Sequence, residues 1–318
     1  MTKPYKIIFA GTPAFALPSL QACLDSHHNV CAVFTQPDKK AGRGQQRTPS
    51  PVKALAESHG VPVHTPPNFK EAAAVELMAQ YQPDILVVVA YGMILPQSVL
   101  DIPRVECLNV HASLLPRWRG AAPINHAILA GDKETGVSIM RVVQALDAGP
   151  VYKMVACPID AAATTVSLYT QLADMGADAL LDVLNHALPG QHTPIEQSES
   201  GITYAGKIQK TDGLIDWDME ADTLMRLMRA MQPWPGLFFM HAGEAIKVHA
   251  CHLQPSSDRM PAGMVARWDK AGLVVSTGTD HLCITQLQLP GKRAMSVGDV
   301  WPGNQSRFVS GECLKTKT

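Results

Sequence analysis

Hydrophobic positions along the chain follow two regimes that change near residue 190. In the first, short apolar runs alternate with stretches of helical spacing. Tyr5–Ala10 runs into Gly11-Thr12-Pro13, and helical periodicity over Phe15–Leu24 is followed by a second apolar run at Val30–Phe34. That strand, turn, helix, strand order is the unit from which parallel sheets are built. Further strands are predicted at Val61–His64 and Asp84–Ala90, the latter apolar on both faces as a central strand requires. Lys53–Gly60 and Lys70–Gln80 read as the crossover helices between them. Val105–Val110 reads as another short buried strand. Ala122–Ala130 reads as a helix, with Pro123 in its first turn and Gly131 past its end. Thr135–Val143 and Val151–Val155 form a last predicted strand pair around the Gln144–Pro150 turn. Thr164–Leu188 keeps helical spacing until Pro189-Gly190 closes it.

From there to about Gly206 the composition turns polar, as in a linker. The expected division is a catalytic domain over residues 1–189, a linker over 190–206 and a second domain over 207–318. Within the second domain a helix at Ala221–Ala230 precedes short strands at Ala245–Leu253, Gly263–Arg267, Gly272–Ser276 and Leu282–Leu289. Glycine and proline between them favour a small β-barrel or an open sheet. No internal repeat or low-complexity segment interrupts the pattern, and Leu314–Thr318 is expected to fray.

Composition narrows the class. With 46% hydrophobic and 17% charged residues in 318, the chain can bury sizeable cores. Net charge is −1, yet residues 1–200 carry 14 Lys/Arg against 17 Asp/Glu and residues 201–318 carry 13 against 11. The slightly basic second part permits a polyanionic partner. Seven cysteines form no Cys-x-x-Cys pair and no zinc-type spacing, which favours unpaired thiols in a reducing compartment and no metal. No secretory hydrophobic region opens the sequence, and no apolar run reaches the roughly 18 residues that span a bilayer. A cytoplasmic protein with no membrane contact is expected.

The Val105–Val110 strand would deliver Asn109 and His111 to the same side, at the sheet edge where α/β proteins bind ligands. Leu146-Asp147-Ala-Gly149 adds a carboxylate. These three groups suit acyl transfer to an amine, which passes through an oxyanion and must move a proton. Asn109 would donate to the oxyanion. His111 would share that role if protonated or carry the proton if neutral. Asp147 would orient the imidazole and accept the proton that the amine sheds. Such residues at a strand end are more often simple turn formers. Gly11-Thr12-Pro13 departs from the Gly-x-Gly-x-x-Gly pattern, which disfavours a nicotinamide cofactor, and no P-loop sequence is present.

The extended pattern is more specific. Asn109-Val-His111-Ala-Ser113-Leu-Leu-Pro116, Arg119-Gly120, Thr135-Gly136-Val and Leu146-Asp147-Ala-Gly149 resemble the signature of formyltransferases that use 10-formyltetrahydrofolate. Phe9-Ala-Gly11-Thr12-Pro13, Ala41-Gly-Arg43-Gly44, Val89-Ala-Tyr91-Gly92, Ile215-Asp-Trp217 and Pro233-Trp-Pro235 extend the resemblance over nearly the whole chain, and to the methionyl-tRNA branch of that family. The resemblance implies a Rossmann-like α/β catalytic domain followed by an OB-fold-like β-barrel domain. It also implies that Asn109, His111 and Asp147 are the catalytic trio, and that the reaction gives N-formylmethionyl-tRNA for translation initiation.

It further implies that Ser113, Leu114, Leu115 and Pro116 contact the folate, and Val89 and Tyr91 lie in the run that can line a pterin slot. Lys39, Lys40, Arg43 and Arg47 fall in a basic, glycine-interleaved stretch ending at Lys53. In this family the corresponding loop enters the acceptor arm of initiator tRNA, with Arg43 as the base-proximal contact. Lys207, Lys210, Arg226, Arg229, Lys247, Lys292 and Arg293 would add phosphate contacts. Methionyl initiator tRNA and the folate are the implied partners, with no metal and no stable protein partner. Two other readings stay open: formyl transfer to a small amine (glycinamide ribonucleotide or a nucleotide amino-sugar), and a catalytically silent folate- or RNA-binding protein.

Overall fold

The computed structural model describes residues 4–41, 46–191, 193–257 and 260–314. Two compact units share the chain. The first comprises Met1–Ile124, Lys133–Ile159 and Ser167–Gly206, and the second Asn125–Asp132, Asp160–Val166 and Lys207–Thr318.

A seven-stranded sheet forms the first unit. Its strands are β1 (Lys6–Gly11), β2 (Asn29–Phe34), β5 (Val63–His64), β6 (Ile85–Val89), β7 (Glu106–His111), β9 (Glu134–Arg141) and β10 (Val151–Pro158). They are ordered β10-β9-β7-β6-β1-β2-β5. β5, β2, β1, β6 and β7 run parallel, while β9 and β10 are antiparallel to their neighbours. The chain leaves β1 in one direction for β2 and in the other for β6, so the sheet reverses its winding between β1 and β6. Crevices at the carboxyl ends of strands at such a switch are where α/β folds bind ligands.

Helices α1 (Leu17–Asp25), α2 (Pro51–Ser58), α3 (Ala72–Gln80), α4 (Gln97–Leu100) and α6 (Thr165–Asp182) are the main helices between and after these strands. α2 begins where the sequence allows it. Pro51 takes the first helical position, and Ser50 Oγ accepts from Lys53 N at 3.0 Å, satisfying an otherwise unpaired amide. The predicted Phe15–Leu24 helix opens with a 3-10 turn over Ala14–Ala16 before α1. Thr165–Asp182 is α-helical, and Val183–Gln191 continues as a π-helical stretch. Ile8, Ala10, Phe34, Leu86 and Tyr91 build a core on one face of the sheet together with Phe69, Met78 and Val99.

Buried in this unit, His28 accepts from Tyr5 N through Nδ1 and meets Asn185 Oδ1 through Nε2, each at 3.2 Å. Those partners fit only the neutral ring with its proton on Nε2. Burial holds its pKa below the usual histidine value, reinforced by His27 and opposed by the Asn185 bond. A histidine with a depressed folded pKa contributes stability that is fully present at high pH. That stability declines as pH falls through the unfolded value of about 6.5. Denaturant midpoints between pH 8 and 5.5 are expected to fall less steeply in His28→Gln than in the unsubstituted protein; parallel slopes would reject this role.

The second unit is an antiparallel sheet with strands β12 (Leu237–His241), β13 (Glu244–Gln254), β16 (His281–Gln288), β15 (Gly272–Ser276) and β14 (Val265–Asp269) in that order. β17 (Met295–Ser296) pairs with β16, and α8 (Val297–Val300) follows it. On β13, Ile246 and Val248 are buried while Lys247 and His249 face solvent, the period-2 alternation of a half-buried strand. β12 was not anticipated. It lies directly after Pro233-Trp-Pro235, where turn residues mask a five-residue strand.

α7 (Ala221–Ala230) buries Leu224, Leu227 and Met228 at helical spacing. Arg226 and Arg229, expected to face phosphate, instead tie this unit together. Arg226 Nε donates to Leu129 O at 3.2 Å at the end of α5 (Pro123–Ala130), and Arg229 Nη1 donates to Ala163 O at 3.0 Å. Leu129 O is a carbonyl at the end of a helix, a natural partner for a guanidinium group, and Ala163 O lies in the loop before α6.

Candidate active site

β7 carries two of the expected residues by register. Asn109 lies level with Val88 of β6 and Met140 of β9, and His111 ends the strand level with Ser138. Asn109 is half-buried, and its side-chain amide has no hydrogen-bond partner among the described residues. His111 is only 6% exposed at its side chain. Its Nε2 lies 3.0 Å from Trp118 O, a pure acceptor, so Nε2–H donates there. Nδ1 then faces Asp147 Oδ2 at 3.7 Å, longer than a hydrogen bond but within ion-pair range. The Asp147 side chain is 17% exposed, and Oδ2 also accepts from Gly120 N at 2.8 Å. The structure thus brings His111 and Asp147 together, with Asn109 two residues before His111 on the same strand.

Local backbone geometry explains how Asp147 reaches the imidazole. Asp147 has φ 45° and Trp118 φ 62°, both outside the usual range for residues with a Cβ. Such conformations cost roughly 1–3 kcal/mol each and persist where surrounding bonds over-determine them. Residues 193–206, polar enough to read as a linker, supply those bonds and group with the first unit. β11 (Tyr204–Ala205) pairs in parallel with β8 (Arg119–Gly120). Gly120, at φ 120°, permits this approach, because a Cβ there would stand 2.6 Å from Ala205 O. Trp118 N donates to Thr203 Oγ1 at 2.9 Å. The Gln197 amide donates to both Asp147 O and Gly149 O at 2.8 Å.

The residues expected at the folate lie in two environments. Ser113 Oγ donates to Arg117 O, Ser138 Oγ donates to Ser113 O at 2.7 Å, and Leu115 N donates to Ser138 Oγ at 3.2 Å. Leu115 packs with Met140 and Val151, while Leu114 and Pro116 are half-buried. Val89 and Tyr91 are buried to 0% and 1% exposure, so their side chains belong to the core. Any contact they make with a ligand runs through the main chain. Arg117 stacks over the Trp118 ring at 4.4 Å.

Of the basic stretch, β3 (Lys39–Ala41) and β4 (Gln46–Thr48) form an antiparallel hairpin that pairs Lys40 with Arg47. Arg47 is exposed, Arg43 lies outside the described residues, and so do the side chains of Lys39 and Lys40. Lys53 differs from expectation, because its Nζ pairs with Asp38 at 2.9 Å. Sequence reasoning also missed Gln197 and Thr203, for which residue type gave no signal. Among the described residues no cluster of three or more His, Cys, Asp or Glu could hold a metal, and no helix is long and apolar enough to cross a membrane.

The fold is α/β, with an amide, an imidazole and a carboxylate near the carboxyl edge of a mostly parallel sheet. Residues 5–184 match the family described as Formyl transferase, and residues 207–305 match Formyl transferase, C-terminal domain; the chain belongs to the formyl transferase family. It is 45% identical over 316 residues to the methionyl-tRNA formyltransferase of Pseudoalteromonas translucida, covering 99% of this chain and 98% of that one. Identity to the methionyl-tRNA formyltransferase of Pseudomonas fluorescens is 48% over 314 residues, with 99% and 98% coverage. In fold the chain is similar to an N-formyltransferase from Helicobacter canadensis solved with folinic acid and dTDP-3-aminofucose. That likeness has a TM-score of 0.66 at 17% identity, covering 88% of this chain and 98% of that one.

Proposed function

We propose that this protein transfers the formyl group of 10-formyltetrahydrofolate to the α-amine of methionyl initiator tRNA. The observation that carries the chemistry is the Asn109 amide, without a partner among the described residues, on the strand that also presents His111 to Asp147. The amine attacks the formyl carbon, and the carbonyl electrons move onto oxygen, where Asn109 donates. Asp147 receives the proton released by nitrogen; its Oδ1 has no partner among the described residues, while Oδ2 is held by Gly120 N. His111, anchored through Nε2, exchanges a proton at Nδ1. Collapse of the intermediate expels tetrahydrofolate, with N10 taking up a proton. A free α-amine has a pKa of about 7.7–8.0, so an adequate neutral fraction exists near pH 7 and oxyanion stabilisation carries most of the catalysis.

The folate would lie along the main chain after β6 and against Leu114 and Pro116. Exposed Arg47, with Arg43, Lys39 and Lys40, would meet the tRNA, as would the exposed Lys207, Lys210, Lys247, Lys292 and Arg293 of the second unit. Seven unpaired cysteines suit a cytoplasmic setting. The test is formyl transfer from 10-formyltetrahydrofolate to charged initiator and elongator methionyl-tRNA across a salt series. Efficient formylation of initiator alone, weakening as salt rises, is expected. Transfer to neither tRNA would overturn the assignment and turn attention to a small amine acceptor.

A further inference from the structure

Residues 193–206 make bonds that a linker has no need of. Ile195 exchanges both main-chain hydrogen bonds with Val151, at 2.8 and 2.9 Å. Thr203 receives Trp118 N through its hydroxyl and Arg119 N through its carbonyl, both at 2.9 Å. Between these anchors stands Gln197. Its Oε1 accepts from Arg119 Nε at 3.0 Å and Nη2 at 2.7 Å. Arg119 is 8% exposed and makes no ion pair among the described residues. A guanidinium can only donate, so the Gln197 oxygen must face it, and the amide nitrogen must face the opposite way. That direction leads to Asp147 O and Gly149 O, the two ends of the turn that holds Asp147 at positive φ.

We propose that Gln197, oriented by buried Arg119, is a positioning residue for formyl transfer that fixes the backbone of the Asp147 turn and so the carboxylate facing His111. The segment around it is an active-site strap. One end fixes Asp147 through Gln197, and the other fixes His111 through Thr203, Trp118 N and Trp118 O. Gly120 N closes the loop by bonding Asp147 Oδ2 from the strand that pairs with the strap. Misplacing a reacting group by about 1 Å can cost 10²-fold in rate, so a two-bond clamp on this turn has catalytic leverage.

The inference rests on the formyl-transfer reading, and Gln197→Glu tests it. Glutamate keeps the acceptors for Arg119, so the buried contact survives. It removes both donors to the turn and sets a carboxylate oxygen against two carbonyl oxygens. The expected result is a loss of about 10²-fold in kcat, with KM for folate and tRNA within roughly threefold of the starting values. Gln197→Met, which keeps the volume and drops every bond, should lose at least as much. In an Asp147→Ala background, Gln197→Glu should cost no more than roughly twofold, because its effect passes through Asp147. Unchanged kcat in both Gln197 variants, or losses that multiply with Asp147→Ala, would overturn the positioning role while leaving the formyl-transfer reading intact. An unsubstituted enzyme that transfers no formyl group would overturn both.

Discussion

Replacing Asn109 by alanine is expected to lower kcat for formyl transfer by about 10²–10³, close to 2.7–4 kcal/mol of transition-state stabilisation, with no loss of thermal stability. Both halves of that expectation follow from one fact. The Asn109 amide is half-buried and has no hydrogen-bond partner among the described residues, so truncating it breaks no bond among them. A donor so placed is instead available to the oxygen on which charge develops. His111 contrasts with it. His111→Ala removes the bond to Trp118 O as well as the proton-exchanging Nδ1, so it should lower both activity and melting temperature. The double variant should lose far less than the product of the single losses, because both groups serve one transition state. Single-turnover rates with calorimetry on the same samples decide the matter. An Asn109→Ala enzyme within roughly threefold of the original kcat would remove the amide from the mechanism.

Gly149→Ala is expected to damage both activity and stability. A Cβ at this position would fall inside contact distance of Arg141 O, with Val143 Cγ1 also close at 3.3 Å. The obstacle is backbone at the end of β9, where Arg141 N also bonds Pro150 O at 2.9 Å, so it cannot rotate away as a side chain could. The turn must move, and Asp147 moves with it. Overpacking of this kind costs about 1–3 kcal/mol. Each kcal/mol lowers the melting temperature of a unit this size by about 2–4 °C. Displacement of the carboxylate should lower kcat by about 10²-fold. Gly206→Ala is the control, since nothing stands within 4 Å of an added Cβ there. If both variants melt and turn over alike, close packing at Gly149 has no bearing on the site.

How much of this was legible depended on what kind of signal each part carries. The parallel sheet was readable because Ile85–Val89 is apolar on both faces and Cys107, Leu108 and Val110 give the neighbouring strand a short apolar run, properties local to each strand. The proposed catalytic trio rests on a pattern whose members lie near one another in the chain. Gln197 and Thr203 were not readable, since they act through partners as far as 78 and 85 residues away. A polar stretch that bonds backbone has the same composition as one that bonds water. Arg226 and Arg229 misled for a related reason. Charge predicts an affinity for negative groups, and a main-chain carbonyl also satisfies a guanidinium donor. Tyr91 was read as a candidate to line a pterin slot, and periodicity gives no warning that its ring enters the core.

The placement of the strap at the end of the first unit bears on how the enzyme can be divided. The family match for the catalytic region stops at residue 184, yet Gln197, Thr203 and β11 come afterwards. A fragment cut at that family boundary would retain the whole seven-stranded sheet together with Asn109, His111 and Asp147. It would remove the Gln197 amide from the Arg119 guanidinium, Thr203 Oγ1 from Trp118 N and β11 from β8. Nascent chains face the same condition, because the last strands of the sheet are synthesised well before the residues that bind the Asp147 turn. On the proposed role of Gln197, the bonds that fix the Asp147 turn are complete only once translation has passed Ala205.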